Sequence, residues 1–481
     1  MNIFSHLQSI TKTSPKKIAI TDGDRSFTYA DLTTQTQQLA QGFIEQGVAP
    51  GDRVVFFLLD SYEEVLCYLA SFYCGAIAIP LYENLRGEDL RYMLDQVEPT
   101  LIMTSGDLIE HIQPITKAPI FISVEALFAE PKTPMNDEID TTALISFTSG
   151  STAKPKGVMH TQRHIIENCL ATQQHFKLDD DVVAQCSSLD FNASFCSILL
   201  TVIFVGGTVV IAQSHDADRK LNEIIEHSVT FMFCVPNNCY HLIQAATQRA
   251  TIKHKLQYCL IGGDASSPEL FEHFHQVFGF NLTAGMGMTE TLFQCCAPAG
   301  DITHIGSAGQ PIGDVKFKII DDNGDKLPAN EKGELLIHSP SLTSGYWQNS
   351  EATNTAIKAG WLHSGDIGYL DNDNYFYFLD RKKNIIVVEG DNVTPSEVET
   401  ILRAHPAIAQ VAVIGKPTHK ETEAVWAYVN LTPNTTVTEI ELIEYASQQL
   451  ADFKVPTHIV ILDQLPTNAR GKIDRLALKS K

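Results

Sequence analysis

The feature that most constrains this chain is an alternation that runs through most of its length. Short β-branched stretches are each followed by a segment with helical spacing: RVVFFLL then EEVLCYLASFYCG, GTVVIAQ then DRKLNEIIEHS, YCLIGGD then SPELFEHFHQVFG. This pattern predicts an α/β fold, with parallel strands joined by crossover helices. After about residue 300 the texture changes. There the shorter runs KFKIID, GELLIHS and YFYFLD are separated by DDNGD and DNDN, as in a small antiparallel subdomain built of hairpins. A third texture begins near Arg381, with NIIVV, a helix start at Pro395-Ser396-Glu397, then AQVAVIG, AVWAYVN, a helix and HIVIL. It predicts a small α+β C-terminal domain of roughly 100 residues.

Composition narrows the classes of function. The 481 residues carry 35 basic and 57 acidic side chains, a formal charge of -22. A nucleic-acid or anionic-membrane surface needs a basic patch, so neither partner is expected. MNIFSHLQSITKTSPKKIAI holds no sustained apolar signal region, and no window reaches the run of about 18 apolar residues that a membrane helix needs. A cytoplasmic protein is expected. The ten cysteines are scattered without a CxxC pair, several inside apolar runs, and read as buried free thiols.

The stretch LISFTSGSTAKPKGVMHT, residues 144–161, is an apolar strand running into hydroxyls, glycines and lysines. Such a turn points N–H and O–H donors at one spot and suits phosphate oxygens. Thr148, Ser149, Ser151 and Thr152 supply hydroxyls, Gly150 the turn, and Lys154 and Lys156 the charge. It is not a Walker P-loop, whose GxxxxGK[ST] order is absent.

The order of these residues resembles the core phosphate loop of the adenylate-forming superfamily, which includes acyl-CoA synthetases, firefly luciferase and the adenylation domains of non-ribosomal peptide synthetases. Ser151 and Ala153 stand where that family usually has Thr and Gly. Five further segments resemble family motifs in the family's order: LIGGDA (260–265), GMGMTE (285–290), GWLHSGDIG (360–368), LDRKKNIIVVEGDNVTPSEVE (379–399) and LPTNARGKIDR (465–475). The resemblance spans essentially the whole chain. It implies a large adenylation domain over 1–380, a hinge at 381–384 and a small domain over 385–481 that rotates on it.

The same resemblance implies the site. The 148–156 loop holds the phosphates of ATP, Gly263, Asp264 and Ala265 line the adenine, and Met286 and Gly287 lie beside it. Met286 replaces the aromatic residue usual there, a softer contact. Thr289 touches the α-phosphate, and Glu290, with Thr152, ligands Mg2+. Asp366 accepts the ribose hydroxyls beside Arg381, Lys383 is the pivot, and Lys472 is the catalytic lysine that bridges the carboxylate and the α-phosphate. The acid pocket falls on Asn192, Ala193, Cys196, Cys234, Leu260, Gly262, Gly285, Phe293 and Gln294, the glycines leaving room and the cysteines keeping it apolar. Asn192 stands where amino-acid-activating relatives keep an aspartate. A neutral amide does not repay the desolvation of an ammonium, so an aryl or acyl acid is expected over an α-amino acid. Asp190 reaches the same face, and rescues an amine, if LDFNASF is a strand.

The implied reaction is activation of a carboxylic acid by ATP with release of pyrophosphate, then transfer to a phosphopantetheine thiol. Val387, Glu389 and Asp391 follow the hinge where many CoA ligases are basic. Carboxylates there repel the phosphates of CoA, which favours an acyl or peptidyl carrier protein, with CoA as the alternative acceptor. A luciferase-like oxidase and a non-catalytic nucleotide-binding relative are the readings from other classes.

Overall fold

The computed structural model describes residues 1–148, 154–212, 216–249, 251–263, 266–388, 391–418, 423–433, 435–467 and 473–480. Among them the expected alternation forms two large sheets. One has nine strands, in the order Gln310–Pro311, Leu292–Cys296, Thr283–Met288, Tyr258–Ile261, Phe231–Cys234, Val183–Cys186, Thr208–Ile211, Ile18–Asp22 and Arg25–Thr28. Pairing is parallel from Thr283–Met288 across to Ile18–Asp22 and antiparallel at both ends. The other has seven, in which Thr142–Phe147 runs parallel to Ile77–Pro80 and antiparallel to Gly157–Thr161.

The two sheets share a helical layer. Helix Tyr62–Cys74 is apolar almost all round because it is buried between them, and its residues join Val54 and Phe56 of one sheet and Ile20 and Val209 of the other in a single apolar cluster. A helix with no polar face has no other stable place. Outer helices show the amphipathic pattern instead: Pro268–Phe278 buries Leu270, Phe271, Phe274 and Phe278 on one side only.

The hairpins after residue 300 form the predicted antiparallel subdomain, with Gly333–His338 between Lys316–Ile320 and Trp361–Leu370, and Phe376–Arg381 on the far side. The C-terminal part is α+β, as its sequence predicts. Its sheet pairs Ile408–Pro417 with Glu423–Leu431 antiparallel and Glu423–Leu431 with His458–Ile461 parallel, covered by helices Pro395–Arg403 and Glu439–Ser447. All ten cysteines are buried and free. No helix among the described residues is long and apolar enough to cross a membrane.

Candidate active site

Residues far apart in sequence meet where the two large sheets and the antiparallel subdomain converge. Thr289 and Glu290 lie at the tip of a tight hairpin between Thr283–Met288 and Leu292–Cys296, closed by the Thr291 amide donating to Met288 O at 3.2 Å. The reversal leaves Leu292 in the left-handed region, φ 59°, a conformation rare outside glycine that clusters at functional sites. Three contacts fix this tip. His160 Nε2 donates to Thr289 O at 2.7 Å, the Thr343 amide donates to Glu290 O at 2.8 Å, and Tyr346 Oη donates to Glu290 Oε1 at 2.9 Å. Burial pushes His160 down to about 3, so the ring is neutral and its Nε2 carries the proton.

The described ends of the 148–156 loop meet as a hairpin closure. The Thr148 amide donates to Lys156 O at 3.0 Å, and the Lys156 amide donates to Thr148 Oγ1 at 3.2 Å. Lys156 Nζ sits 4.7 Å from the Tyr346 ring centroid, and Lys154 Nζ the same distance from that of Tyr92. Tyr346 thus touches both the loop lysine and Glu290.

Asp366, 2% exposed, faces Arg381 across paired strands. Arg381 Nε lies 2.7 Å from Asp366 Oδ1, close enough for an ion pair, yet the N–H is not aligned on that oxygen, which accepts no hydrogen bond among the described residues. Burial raises the carboxyl to about 6 against the pull of Arg381, and Glu290 adds to the rise. A buried carboxylate with an unmet acceptor oxygen fits a hydroxyl donor such as a ribose. Lys383, in the short turn Lys382–Asn384, has its ammonium pKa lowered by burial and by the charges of Arg381 and Lys156. Asp380 ties this turn to the C-terminal part: it accepts from the Arg381 amide at 2.7 Å, from Asn384 Nδ2 at 2.9 Å and from the Ser396 amide at 3.2 Å.

Ser149, Gly150, Ser151, Thr152, Asp264, Ala265, Glu389 and Lys472 lie outside the described residues. The flanks of Lys472 are held: Thr467 bridges Ile473, the Asp474 amide donates to Pro466 O at 2.8 Å, and Arg475 pairs with buried Glu399 at 2.7 Å. Gly263 has φ +84°, which only glycine adopts freely, where the chain leaves Tyr258–Ile261. Gly287 lies on Thr283–Met288 beside Met286, which packs on the apolar core of the antiparallel subdomain.

The acid-side residues divide. Cys196, Leu260 and Phe293 belong to the cluster between the sheets, while Cys234 points to the outer helix layer with Cys239 and Cys259, its Sγ 3.6 Å from Cys259 Sγ. The structure therefore does not bring Cys234 to the others, because alternate residues of one strand face opposite sides. The glycines do not leave room either. A Cβ on Gly262 would stand 2.4 Å from Gly285 O, so that glycine serves close approach of the neighbouring backbone, and one on Gly285 would stand 2.8 Å from Leu260 Cδ1 and Phe293 Cε2, so the space it leaves is already filled by those side chains. LDFNASF is not a strand: Asn192, in αR conformation, leads directly into the π-helical turn Ala193–Leu199, and the strand argument for Asp190 falls away.

Two amides in this group share an arrangement. Ser146 Oγ donates to Asn192 Oδ1 at 2.7 Å, and Thr291 Oγ1 donates to Gln294 Oε1, while Asn192 Nδ2 and Gln294 Nε2 are buried without a partner among the described residues. Each hydroxyl fixes which end of the amide is free to donate. Sequence reasoning missed Ser146, His160, Tyr346 and Asp380. Ser146, His160 and Asp380 carry one signal, a lone polar side chain in an otherwise apolar strand, as in GVMHT; Tyr346 carries none.

This architecture and site define an AMP-forming ligase. The AMP-binding enzyme family matches residues 7–347 and its C-terminal domain matches 397–472, so the chain belongs to that family, within the adenylate-forming superfamily, and is an AMP-forming acid–thiol ligase. It is 30% identical over 472 residues to a 2-succinylbenzoate–CoA ligase of Geobacillus kaustophilus, covering 97% of this chain and 95% of that one. The O-succinylbenzoate coenzyme A synthetase of Bacillus subtilis, solved with ATP and a magnesium ion, superposes with a TM-score of 0.89 at 27% identity, covering 98% of this chain and 99% of that one. A benzoate CoA ligase from Burkholderia xenovorans LB400 superposes with a TM-score of 0.91 at 25% identity, covering all of both chains.

Proposed function

We propose that the enzyme activates an aryl or acyl carboxylic acid with ATP and transfers the acyl group to the thiol of coenzyme A. The convergence of Lys156, Glu290, Tyr346, Asp366 and Arg381 carries the nucleotide half of this reading. Lys156 and the 148–156 loop bind the departing phosphates, Asp366 and Arg381 the ribose, and Thr289 the α-phosphate. Glu290, with Thr152, would hold Mg2+, which supplies positive charge to the triphosphate.

The acid's carboxylate oxygen attacks the α-phosphorus and the bond to pyrophosphate breaks. Lys472 bridges the two anions at that moment, a contact concentrated in the transition state. The thiol sulfur then attacks the acyl carbon, and AMP leaves with the electron pair. A chain divided at 1–380, 381–384 and 385–481 delivers Lys472 by closure at Lys383 and withdraws it afterwards. Asn192 presents an N–H donor where an ammonium would need a carboxylate, which supports an aryl or acyl acid.

The charge of the loop after the hinge favours a carrier protein as acceptor. The relatives named for CoA across almost their full length weigh more heavily, because CoA phosphates are met by residues elsewhere as readily as by that loop. A cytoplasmic location belongs to the same reading, since CoA and ATP are found there.

Pyrophosphate exchange with a panel of benzoic and aliphatic acids tests the first half. Exchange with no acid, or activity unchanged in Lys472→Ala, overturns it. The product mass obtained with CoA, set against that with a holo carrier protein, decides the acceptor.

A further inference from the structure

Outside the site described above, the protein holds a cavity of about 420 Å³, within the size range of small-molecule sites. It lies between helix Gln162–Phe176, the loop that follows Gln310–Pro311 and the turn that follows Gly333–His338. Glu167, Leu170 and Ala171, spaced i, i+3 and i+4 on the helix, form one wall. The loop supplies Ile312 and Asp314, and Gly313 between them closes on the helix: its φ is +55°, and a Cβ there would stand 2.9 Å from that of Ala171.

The lining has two chemistries. Leu170, left 44% exposed, is joined by Phe293 and Ile312 as apolar surface. The polar groups offer acceptors. Glu167 and Asp314 make no hydrogen bond or salt bridge among the described residues. Ser341 is only 4% exposed; its amide donates to Ser339 Oγ at 3.1 Å, while its hydroxyl has no partner among the described residues. A hydroxyl held out of water with nothing to bond is costly unless a ligand meets it.

Charge decides the kind of ligand. Among the described residues no lysine or arginine lines the cavity, and Arg163, one turn before Glu167, is held by Asp140 at 2.7 Å. Burial lowers the pKa of His175, which also lines it, so that ring adds no charge at neutral pH. An anion here meets two carboxylates and no cation, which disfavours ATP, CoA and the carboxylic acid as occupants.

We propose that this cavity binds an amphipathic organic cation, a protonated amine on an aromatic or branched aliphatic body, with Glu167, Asp314 and Ser341 accepting from the ammonium and Leu170, Phe293 and Ile312 packing on the body. The site is separate from the activation chemistry and independent of which acid or thiol the enzyme uses. It adjoins that chemistry at one strand: Asn168 Nδ2 donates to Phe293 O at 2.7 Å and the Ile312 amide to Gln294 O at 3.1 Å, so an occupant rests against the backbone that carries two acid-side residues.

Calorimetric titration of the full chain with 2-phenylethylammonium, without nucleotide or acid, tests this, with 2-phenylethanol as the neutral isostere. One amine binds per chain, and the alcohol binds about tenfold more weakly or less. Glu167→Gln combined with Asp314→Asn, both at exposed positions, lowers amine affinity about tenfold and leaves that of the alcohol unchanged. Leu170→Lys, also exposed, puts an ammonium into the cavity and abolishes amine binding. No binding of the amine up to about 10 mM, equal affinity for amine and alcohol, amine affinity unchanged in these variants, or displacement of the amine by benzoate, which would put it in the acid pocket, overturns the inference. None of these results bears on the proposed function, which stands or falls by pyrophosphate exchange.

Discussion

The hydroxyl of Tyr346 donates to Glu290 Oε1 at 2.9 Å while its ring lies 4.7 Å beneath Lys156 Nζ. One side chain thus sets the position of an acidic and a basic group at the same site. Burial and Glu290 together raise the phenol's pKa, so it stays protonated and donates. Tyr346→Phe keeps the ring and removes the donor. The expected result is a higher Mg2+ requirement and about a tenfold loss of kcat/KM for ATP, read from exchange rates across a Mg2+ titration.

Asp366 makes a prediction with a sign. Its folded pKa of about 6 lies above the ordinary 3.8, so the folded protein binds the proton more tightly than the unfolded chain. Stability therefore declines as pH rises from about 4 to 6 and is level beyond that. Asp366→Asn removes this cost. The apo variant should be more stable than the parent at pH 7.5 by on the order of 2–3 kcal/mol, with the gain vanishing toward pH 4 in thermal melts. It should also bind AMP more weakly, because an amide oxygen is a poorer acceptor than a carboxylate.

His160 holds Thr289 by a neutral ring. A group protonated only near pH 3 contributes no inflection to a pH–rate profile between 5 and 9. His160→Ala frees the hairpin tip, and kcat should fall roughly ten- to a hundredfold with a smaller change in KM. His160→Gln, which retains an N–H donor, should recover part of it.

Arg475 pairs with Glu399, whose carboxyl burial pushes up and whose other partner is the Val413 amide at 2.7 Å. Arg475→Ala leaves that carboxylate buried without its cation, a cost of about 3 kcal/mol in denaturant unfolding. The segment that carries Lys472 loses its anchor in the same step. Exchange should slow while ATP binding, measured by calorimetry, is retained.

The layers of the fold were legible because periodicity reports burial directly: Tyr62–Cys74 has no polar face and lies between two sheets. Glu290, Asp366 and Arg381 could be singled out from motif order, and the structure places their charges within reach of one another; the nucleotide roles given to them belong to the proposed function. What escaped notice depends on contacts between distant strands. Gly262 and Gly285 look like space in the sequence, yet each would strike its neighbour if it carried a Cβ. The outward turn of Cys234 follows from strand phase, and Tyr346 reaches Glu290 only because Gly345–Tyr346 pairs with Gly157–Thr161. Sequence spacing encodes neither relation.

The shared helical layer has a consequence for how the protein is made. The nine-stranded sheet takes Ile18–Asp22 and Arg25–Thr28 from the start of the chain and then waits until Val183–Cys186 for its next strand, while the residues between build six strands of the seven-stranded sheet. During synthesis, two early strands and the inner face of helix Tyr62–Cys74 are present before the strands that cover them. Such long-range pairing folds slowly and exposes apolar surface meanwhile. That apolar surface finds its native partner only once Thr208–Ile211 has emerged to pair with Ile18–Asp22.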